Sequence, residues 1–350
     1  MKHFFLLTLT AVSFAHARVW NDTGVGAIVF EEAWTTAELA GTVGAAPAIE
    51  LRANLVDIHN QRLAQMDEMA HSDGSLLCTT LRPGVSDAEI AASMAVNLNN
   101  VLSDPISNNS LRFGAFAALS MHNASVAAQE LNRTSGPDND TLLYYDQPEY
   151  DEFWQMVTDL DVPVYFHPRT NVQLISSLVY SHGFGLKGAA QKFAGNTVDT
   201  HIRVMYKRGF RVSAFAVCVC VHVRLTNVDS RFPTLKIIVG HLGERLPSDL
   251  FRTDEQLLRQ VPLGIPMQRN ASSYWLTNLY ETTAGNFATP LLQFHKSQIG
   301  LDRIMHSIDY PFALISEGQE WVNSLADVLT SEELLGLKRG TAIKILKLDD

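Results

Sequence analysis

The sequence predicts an α/β fold built on a parallel sheet, either a (β/α)8 barrel of the TIM type or a doubly wound sheet. A chain of 350 residues with 46% hydrophobic content can bury a sizeable core. Short apolar runs alternate with segments in which apolar residues recur at helical spacing. This alternation is typical of repeated βα units, which place neighbouring strands parallel.

Seven apolar runs predict the strands in chain order. The runs are 27–32, 75–80, 114–121, 162–167, 235–241, 279–284 and 302–309. Apolar residues at i, i+3 and i+4 predict helices between them, for example over 127–133 and 152–160. No GxGxxG pattern follows the first run, which weakens the case for a doubly wound nucleotide-binding sheet. The barrel is therefore the favoured prediction.

The first residues predict a secretory signal peptide. Lys2 precedes the apolar stretch 4–14, and Ala15, His16 and Ala17 form an A-x-A cleavage pattern. We therefore expect residues 1–17 to be removed and residues 18–350 to form a single domain. No later run reaches the roughly 18 apolar residues of a membrane span, so we expect a secreted protein that is not in a membrane after signal removal.

Composition and short motifs limit the classes of molecule that this protein is expected to bind. A formal net charge of −10 and the absence of a Lys/Arg-rich run argue against a nucleic-acid surface and favour a small-molecule enzyme. The three cysteines show no metal-type or disulfide-framework spacing. N-x-S/T triplets predict N-glycosylation in an exported protein. The triplets begin at Asn21, Asn108, Asn123, Asn132, Asn139 and Asn270.

Four of the apolar runs end on, or next to, a side chain that can bind a metal or move a proton. They are Glu31, His167, His241 and Asp309. Each alone has an ordinary structural explanation, such as a solvated strand end, a core histidine or a helix cap. The carboxyl ends of barrel strands open onto one face, however, so the four side chains can converge there. Imidazole with carboxylate is a ligand set for a divalent cation.

Longer motifs resemble one known family. They are VFEEAW (29–34), RFGAFAALSMHN (112–123), FWQMVTDLDVPVYFHPR (153–169), RFPTLKIIVGHLGERLP (231–247) and DRIMHSIDYPF (302–312). Together they resemble the metal-dependent decarboxylase branch of the amidohydrolase superfamily. The EEA form of the first motif is most similar to the fungal 2,3-dihydroxybenzoate decarboxylase type.

The resemblance implies roles for the site residues. Glu31, His167 and Asp309 would bind one divalent metal ion, Mg²⁺, Mn²⁺ or Zn²⁺. His241 would be the catalytic imidazole and Glu244 the partner of that histidine. Many relatives have ExH in the first motif, and Ala33 stands at the histidine position here, so one protein ligand is missing.

The implied reaction is non-oxidative decarboxylation of an o-hydroxybenzoate such as 2,3-dihydroxybenzoate. The metal would chelate the carboxylate and the phenolate, and either His241 or Asp309 would handle the ring proton. Arg169 and Phe312 are candidates for binding the substrate carboxylate and ring, each with a structural role as the alternative. The family also implies a homo-oligomer. A metal-dependent hydrolase and an inactive secreted relative are the alternative functions.

Two departures from the family pattern bear on activity. The region 128–140 lacks about one βα half-unit, which removes the fourth strand, and an extra segment occupies 210–227. They could be a real distortion of the barrel, with the alternating segment 217–224 as a substitute edge strand. Errors in the gene model are the favoured explanation, because a rearranged strand order conflicts with the consistency of natural folds.

Overall fold

A computed structural model describes nine parts of the chain. They are residues 26–41, 49–68, 72–79, 87–121, 150–167, 177–178, 232–244, 246–263 and 269–348. The structure divides into two compact units, and each is described by itself. One comprises residues 1–80, 98–118 and 306–350, and the other comprises 81–97 and 119–305.

The first unit contains a three-stranded parallel sheet in the order β1-β2-β3. Its strands are β1 (Ala27–Trp34), β2 (Ser72–Thr79) and β3 (Phe113–Phe116). Ile28, Phe30 and Phe113 are almost fully buried and form part of the core. The tilted rings of Phe30 and Phe116 lie 6.1 Å apart, so aromatic packing reaches from the first strand to the third.

The second unit contains a four-stranded parallel sheet in the order β4-β5-β6-β7. Its strands are β4 (Pro163–Phe166), β5 (Lys236–Val239), β6 (Leu279–Thr282) and β7 (Ile304–Met305). Residues Ile237 to Val239 are buried without polar alternation, as expected of a parallel strand covered on both faces.

The α-helices that the described residues form precede and follow these strands in the chain. They are α1 (Ala37–Ala40), α2 (Ile49–Val56), α3 (Gln61–Glu68), α4 (Ala88–Asn108), α5 (Asp151–Leu160), α6 (Leu246–Leu258), α7 (Ala271–Trp275), α8 (Thr289–Ile299), α9 (Ile315–Ser324), α10 (Ser331–Leu335) and α11 (Thr341–Leu346). Short 3-10 turns cover Val261–Leu263, Leu301–Arg303 and Leu325–Asp327, and a π turn covers Gly336–Gly340.

Helix α5 shows how the sequence pattern positions a strand. Phe153, Trp154 and Val157 are buried at i, i+1 and i+4, so they form the apolar face of the helix. The Trp154 ring packs edge-on against Phe166 at the end of β4, with the centroids 6.2 Å apart. Asp161 ends the helix in the left-handed conformation, and β4 starts two residues later.

The described strands confirm all seven predicted runs, and α5 confirms the helix predicted over 152–160. The helix predicted over 127–133 lies outside the described residues. The same holds for the missing strand at 128–140 and for the extra segment at 210–227. Within the described ranges, no helix combines the length and the apolar character needed to cross a bilayer.

Candidate metal centre

Two histidines follow neighbouring strands of the second unit. Strands β4 and β5 pair in parallel with Phe166 opposite Val239, and His167 and His241 come one and two residues after this pair. The two rings lie 6.4 Å apart between centroids. One ring nitrogen of each histidine lies within 4.8 Å of the other, a separation that one metal ion can bridge. The parallel register therefore brings both predicted imidazoles together.

The ring and the backbone of His241 each form a hydrogen bond with the chain that follows β6. Its Nδ1 lies 2.5 Å from the carbonyl oxygen of Ala284. A carbonyl oxygen only accepts, so Nδ1 carries the proton, and Nε2 is the nitrogen that can take a proton or bind a metal. The side-chain amide of Asn286 donates to the backbone carbonyl of His241 at 3.2 Å. Both contacts come from one short segment.

The turn after β5 has an unusual backbone. His241, Leu242, Gly243 and Glu244 all have φ between 54° and 61°, in the left-handed region. A Cβ on Gly243 would meet Glu281 Oε1 at 2.8 Å and Pro247 Cδ at 3.0 Å, so only glycine fits there. The predicted pairing of Glu244 with His241 stays a prediction.

A buried polar network that no sequence pattern indicated lies against this turn. Glu281 on β6 accepts a hydrogen bond from Trp275 Nε1 at 2.9 Å, and its other oxygen lies 2.7 Å from His295 Nδ1. Burial raises the pKa of Glu281, while the bonds from His295 and Trp275 oppose that rise. Its members come from β6, α7 and α8, so only tertiary packing could reveal it.

Glu31 lies inside β1, not at the end of the strand as predicted. The strand continues to Trp34, and the pairing of β1 with β2 shifts register between Val29 and Glu32. Glu31 adopts φ 55° within that bulge. A bulge re-aims a side chain within a strand, which explains how a mid-strand acid can serve a site. Its carboxylate is almost completely buried.

Asp309 follows β7 by four residues and also has a left-handed backbone, with φ 72°. Its carbonyl oxygen accepts hydrogen bonds from the N–H groups of Phe312 at 2.8 Å and Ala313 at 3.1 Å, which form a tight turn. The segment is joined to β1 at two points. Ala33 N–H donates to the carbonyl of Tyr310, and the Ser307 hydroxyl donates to the carbonyl of Phe30.

Glu32 is a second buried acid that the sequence analysis did not single out. Burial raises its pKa to about 8; the Arg62 cation lowers it, and the Asp309 and Glu31 carboxylates raise it further. The Ile308 backbone also lowers it by a hydrogen bond. The doublet EE at 31–32 was the available signal. The first unit thus gathers acids from β1 and from the 306–312 segment.

Among the described residues, His167 and His241 of the second unit are candidate metal ligands, and Glu31 of the first unit is a candidate acidic ligand. Their donor set, carboxylate and imidazole, suits Mn²⁺, Zn²⁺ or a similar divalent cation. Asp309, a predicted ligand, is not in this group, and His241, predicted as the catalytic imidazole, is. The individual roles of these residues stay predictions. Arg169 lies outside the described residues, and Phe312 is exposed.

The sequence of this chain matches the model of one known protein family. The model of the family described as Amidohydrolase matches residues 65–348, most of the chain. The chain belongs to the amidohydrolase family. The predicted resemblance is therefore confirmed.

Amidohydrolase relatives include aromatic acid decarboxylases. The chain is 30% identical to the gamma-resorcylate decarboxylase of Rhodococcus jostii over 93% of this chain and 99% of that protein. It is also 30% identical to the decarboxylase orsB of Emericella nidulans, over 74% of each chain.

A solved amidohydrolase structure supports the fold class. The dihydroxybenzoic acid decarboxylase of Polaromonas, solved with bound manganese and the inhibitor 2-nitroresorcinol, aligns with a TM-score of 0.80 and 29% identity. The alignment covers 93% of this chain and 98% of that one. The likeness confirms the predicted α/β, TIM-barrel fold class.

Proposed function

We propose that this protein is a metal-dependent carboxy-lyase that removes CO₂ from an o-hydroxybenzoate. The observation that carries the proposal is the pair His167 and His241, whose ring nitrogens lie within 4.8 Å of each other after adjacent parallel strands. The match to gamma-resorcylate decarboxylase over 93% of this chain supports decarboxylation as the reaction type. The proposed substrates are dihydroxybenzoates, the 2,6 and 2,3 isomers first.

In this proposal one divalent metal ion is held by Glu31, His167 and Asp309, with His241 beside it or as a further ligand. The residue types fit such an ion, because Glu31 supplies a buried carboxylate, Asp309 a second carboxylate, and His167 and His241 supply imidazoles. The bound ion would supply Lewis-acid stabilisation of negative charge on the carboxylate and the ortho oxygen of the substrate. The manganese in the Polaromonas relative supports this assignment.

In this proposal the protein side chains deliver a proton to the substrate ring. The ring carbon that carries the carboxylate gains a proton, the bond to the carboxylate then breaks, its electron pair restores the aromatic ring, and CO₂ leaves. If His241 lies beside the ion and is not bound to it, His241 can deliver this proton from Nε2, because Ala284 occupies the Nδ1 side of the ring. Asp309 is the alternative donor. Glu244 is proposed to act through His241 as its partner.

The decisive test is product analysis with purified protein and Mn²⁺. Incubation with 2,6- or 2,3-dihydroxybenzoate should yield CO₂ and resorcinol or catechol, and in D₂O the product should carry one deuterium at the former carboxylate position. His241→Asn should lower kcat by about 100-fold or more, since general acid catalysis contributes roughly that much. Arg112→Met, which alters a surface ion pair, serves as the control.

Other outcomes would assign other functions. A protein that binds Mn²⁺, leaves both acids intact and hydrolyses an ester, amide or lactone would be a hydrolase of the same family. A protein with neither metal nor activity would be an inactive relative. If His241→Asn retains most activity while an Asp309→Asn protein that still binds Mn²⁺ releases no CO₂, Asp309 would be the proton donor.

We also propose that the protein is exported and N-glycosylated. The pattern over residues 1–17 supports cleavage by signal peptidase, and the triplets at Asn108 and Asn270 begin on exposed residues. Expression in a eukaryotic secretory host should deliver the protein to the medium with a mass that falls on deglycosylation. Retention inside the cell with residues 1–17 intact would contradict the proposal.

A further inference from the structure

Arg62 is a fully buried cation on α3 that makes three hydrogen bonds to backbone carbonyls. Nη2 donates to Ala33 O at 2.8 Å and to Asn54 O at 3.3 Å, and Nε donates to Asp57 O at 3.2 Å. Its guanidinium also lies over the ring of Tyr310, with 4.7 Å between Cζ and the ring centroid.

Two of these contacts fall beside the candidate acidic ligands. Ala33 lies two residues after Glu31, and Tyr310 lies one residue after Asp309. Ala33 N–H in turn donates to the Tyr310 carbonyl at 2.7 Å. One side chain, Arg62, therefore contacts both residues of the link that joins the two acidic segments.

Both acids need such support. Glu31 has φ 55° and Asp309 has φ 72°, conformations that cost a non-glycine residue about 1–2 kcal/mol and persist only where the surroundings impose them. A planar guanidinium with several fixed donors can bind two carbonyls and one ring face at once, whereas an ammonium acts as a point charge.

The interaction of Arg62 with the Glu32 carboxylate offsets part of the cost of burying this cation, but charge pairing alone does not require a guanidinium. Burying a cation carries a large desolvation penalty, and an apolar side chain could join a helix to a strand without that penalty. The benefit of a guanidinium is geometric, because it sets the direction of the carbonyls and the ring that it contacts.

We propose that Arg62 is a positioning residue that holds Glu31 and Asp309 in the geometry needed to bind the divalent cation. The inference rests on the proposed function, because it takes these two acids as ligands. Arg62 touches neither substrate nor metal in this assignment. It acts through Ala33 and Tyr310.

The test measures Mn²⁺ binding by isothermal titration calorimetry on metal-free wild type, Arg62→Met, Arg62→Lys and Arg112→Met. Arg62→Met should bind Mn²⁺ at least about tenfold more weakly, as is typical when a residue that orients metal ligands is removed. Arg62→Lys keeps the charge and the stem, so it should fold and bind with intermediate affinity. Arg112→Met should match the wild type, because it removes a surface cation that pairs with Asp67, a residue on the same helix as Arg62.

A second readout separates positioning from stability. Thermal unfolding of the metal-free proteins reports the loss of packing, whereas the Mn²⁺ signal in electron paramagnetic resonance reports the ligand geometry. We expect the spectrum of Arg62→Lys to differ from wild type at saturating Mn²⁺. If Arg62→Met does not fold, Arg62→Lys decides the matter.

The outcomes distinguish this inference from the proposed function. A wild-type protein that does not bind Mn²⁺ overturns the metal site, and this inference with it. A wild type that binds Mn²⁺ while the folded Arg62 variants bind with the same affinity and the same spectrum overturns the role of Arg62 alone.

Discussion

The backbone N–H of Ala33 donates a 2.7 Å hydrogen bond to the carbonyl oxygen of Tyr310. On the other side of Glu31, the hydroxyl of Ser307 donates to the carbonyl of Phe30. The bulged part of β1 is therefore held to the segment that carries Asp309 both before and after Glu31. This pairing brings residues almost 280 positions apart in sequence into one acidic cluster.

Ser307→Ala should weaken both stability and metal binding. The substitution leaves the buried Phe30 carbonyl without this donor, which costs about 1–3 kcal/mol in the free energy of unfolding. Urea unfolding measures that loss, and Mn²⁺ titration should show weaker binding because Glu31 follows Phe30 directly. Ser107→Ala is the control, since its hydroxyl also bonds a backbone carbonyl but on an exposed part of α4. Equal losses in both variants would contradict the assignment.

Gly243→Ala should destabilise the fold by about 2–4 kcal/mol. The position has φ 61°, and a Cβ there would meet Glu281 Oε1 at 2.8 Å and Trp275 Cζ2 at 3.1 Å. Left-handed strain and overpacking each contribute about 1–3 kcal/mol. Gly336→Ala is the matched control, because a Cβ at Gly336 meets nothing within 4 Å. Chemical denaturation of the two variants should separate them clearly, and a stable Gly243→Ala protein would be incompatible with this packing.

His306 should make stability depend on pH in the acid range. Burial, with a smaller contribution from the Lys338 cation, lowers the pKa of His306 from 6.5 to about 3. Between these two values the unfolded chain binds a proton that the folded chain excludes, so stability rises with pH across this window. The largest slope from one such group is about 1.4 kcal/mol per pH unit.

Replacing His306 by Phe should flatten this dependence. Phenylalanine cannot titrate and can pack near Trp321, whose ring lies 6.3 Å from that of His306. Melting temperatures of both proteins from pH 7 to pH 4 provide the measurement. Lys338→Met should retain most of the slope, because the charge is the smaller cause. An unchanged slope in His306→Phe would show that other groups control acid stability.

Removing one partner of the Glu281–His295 pair should lower the free energy of unfolding more than replacing Glu281 by its neutral amide. Both side chains are completely buried, with 2.7 Å between Oε2 and Nδ1. His295→Leu leaves a buried carboxylate oxygen without its partner and should cost about 3–5 kcal/mol. Glu281→Gln with His295 intact should cost less, because an amide can still accept from Trp275 and donate to the imidazole. A double-mutant cycle by urea unfolding measures the coupling, and a value near zero would contradict it.

The strands and the histidines at their ends could be predicted from the sequence. Apolar runs identified all seven described strands, because a parallel strand buried on both faces is continuous and local in sequence. His167 and His241 follow two such runs directly, so the pairing of β4 with β5 was enough to bring them together. These features depend on local pattern and on a general rule about parallel sheets.

Other parts of the site had no local signal. The bulge that places Glu31 inside β1 depends on its register with β2, and the hydrogen bonds of Arg62 depend on carbonyls from two separate segments, at Ala33 and at 54–57. The contact of Glu281 with Trp275 and His295 likewise joins three elements.

By itself, then, the sequence determined the elements and their parallel arrangement and indicated candidates for metal binding, because periodicity and strand ends are readable along the chain. Only the tertiary structure decided which charged side chains are buried near those candidates, because burial and hydrogen bonding are set by residues that are distant in sequence and adjacent only after folding.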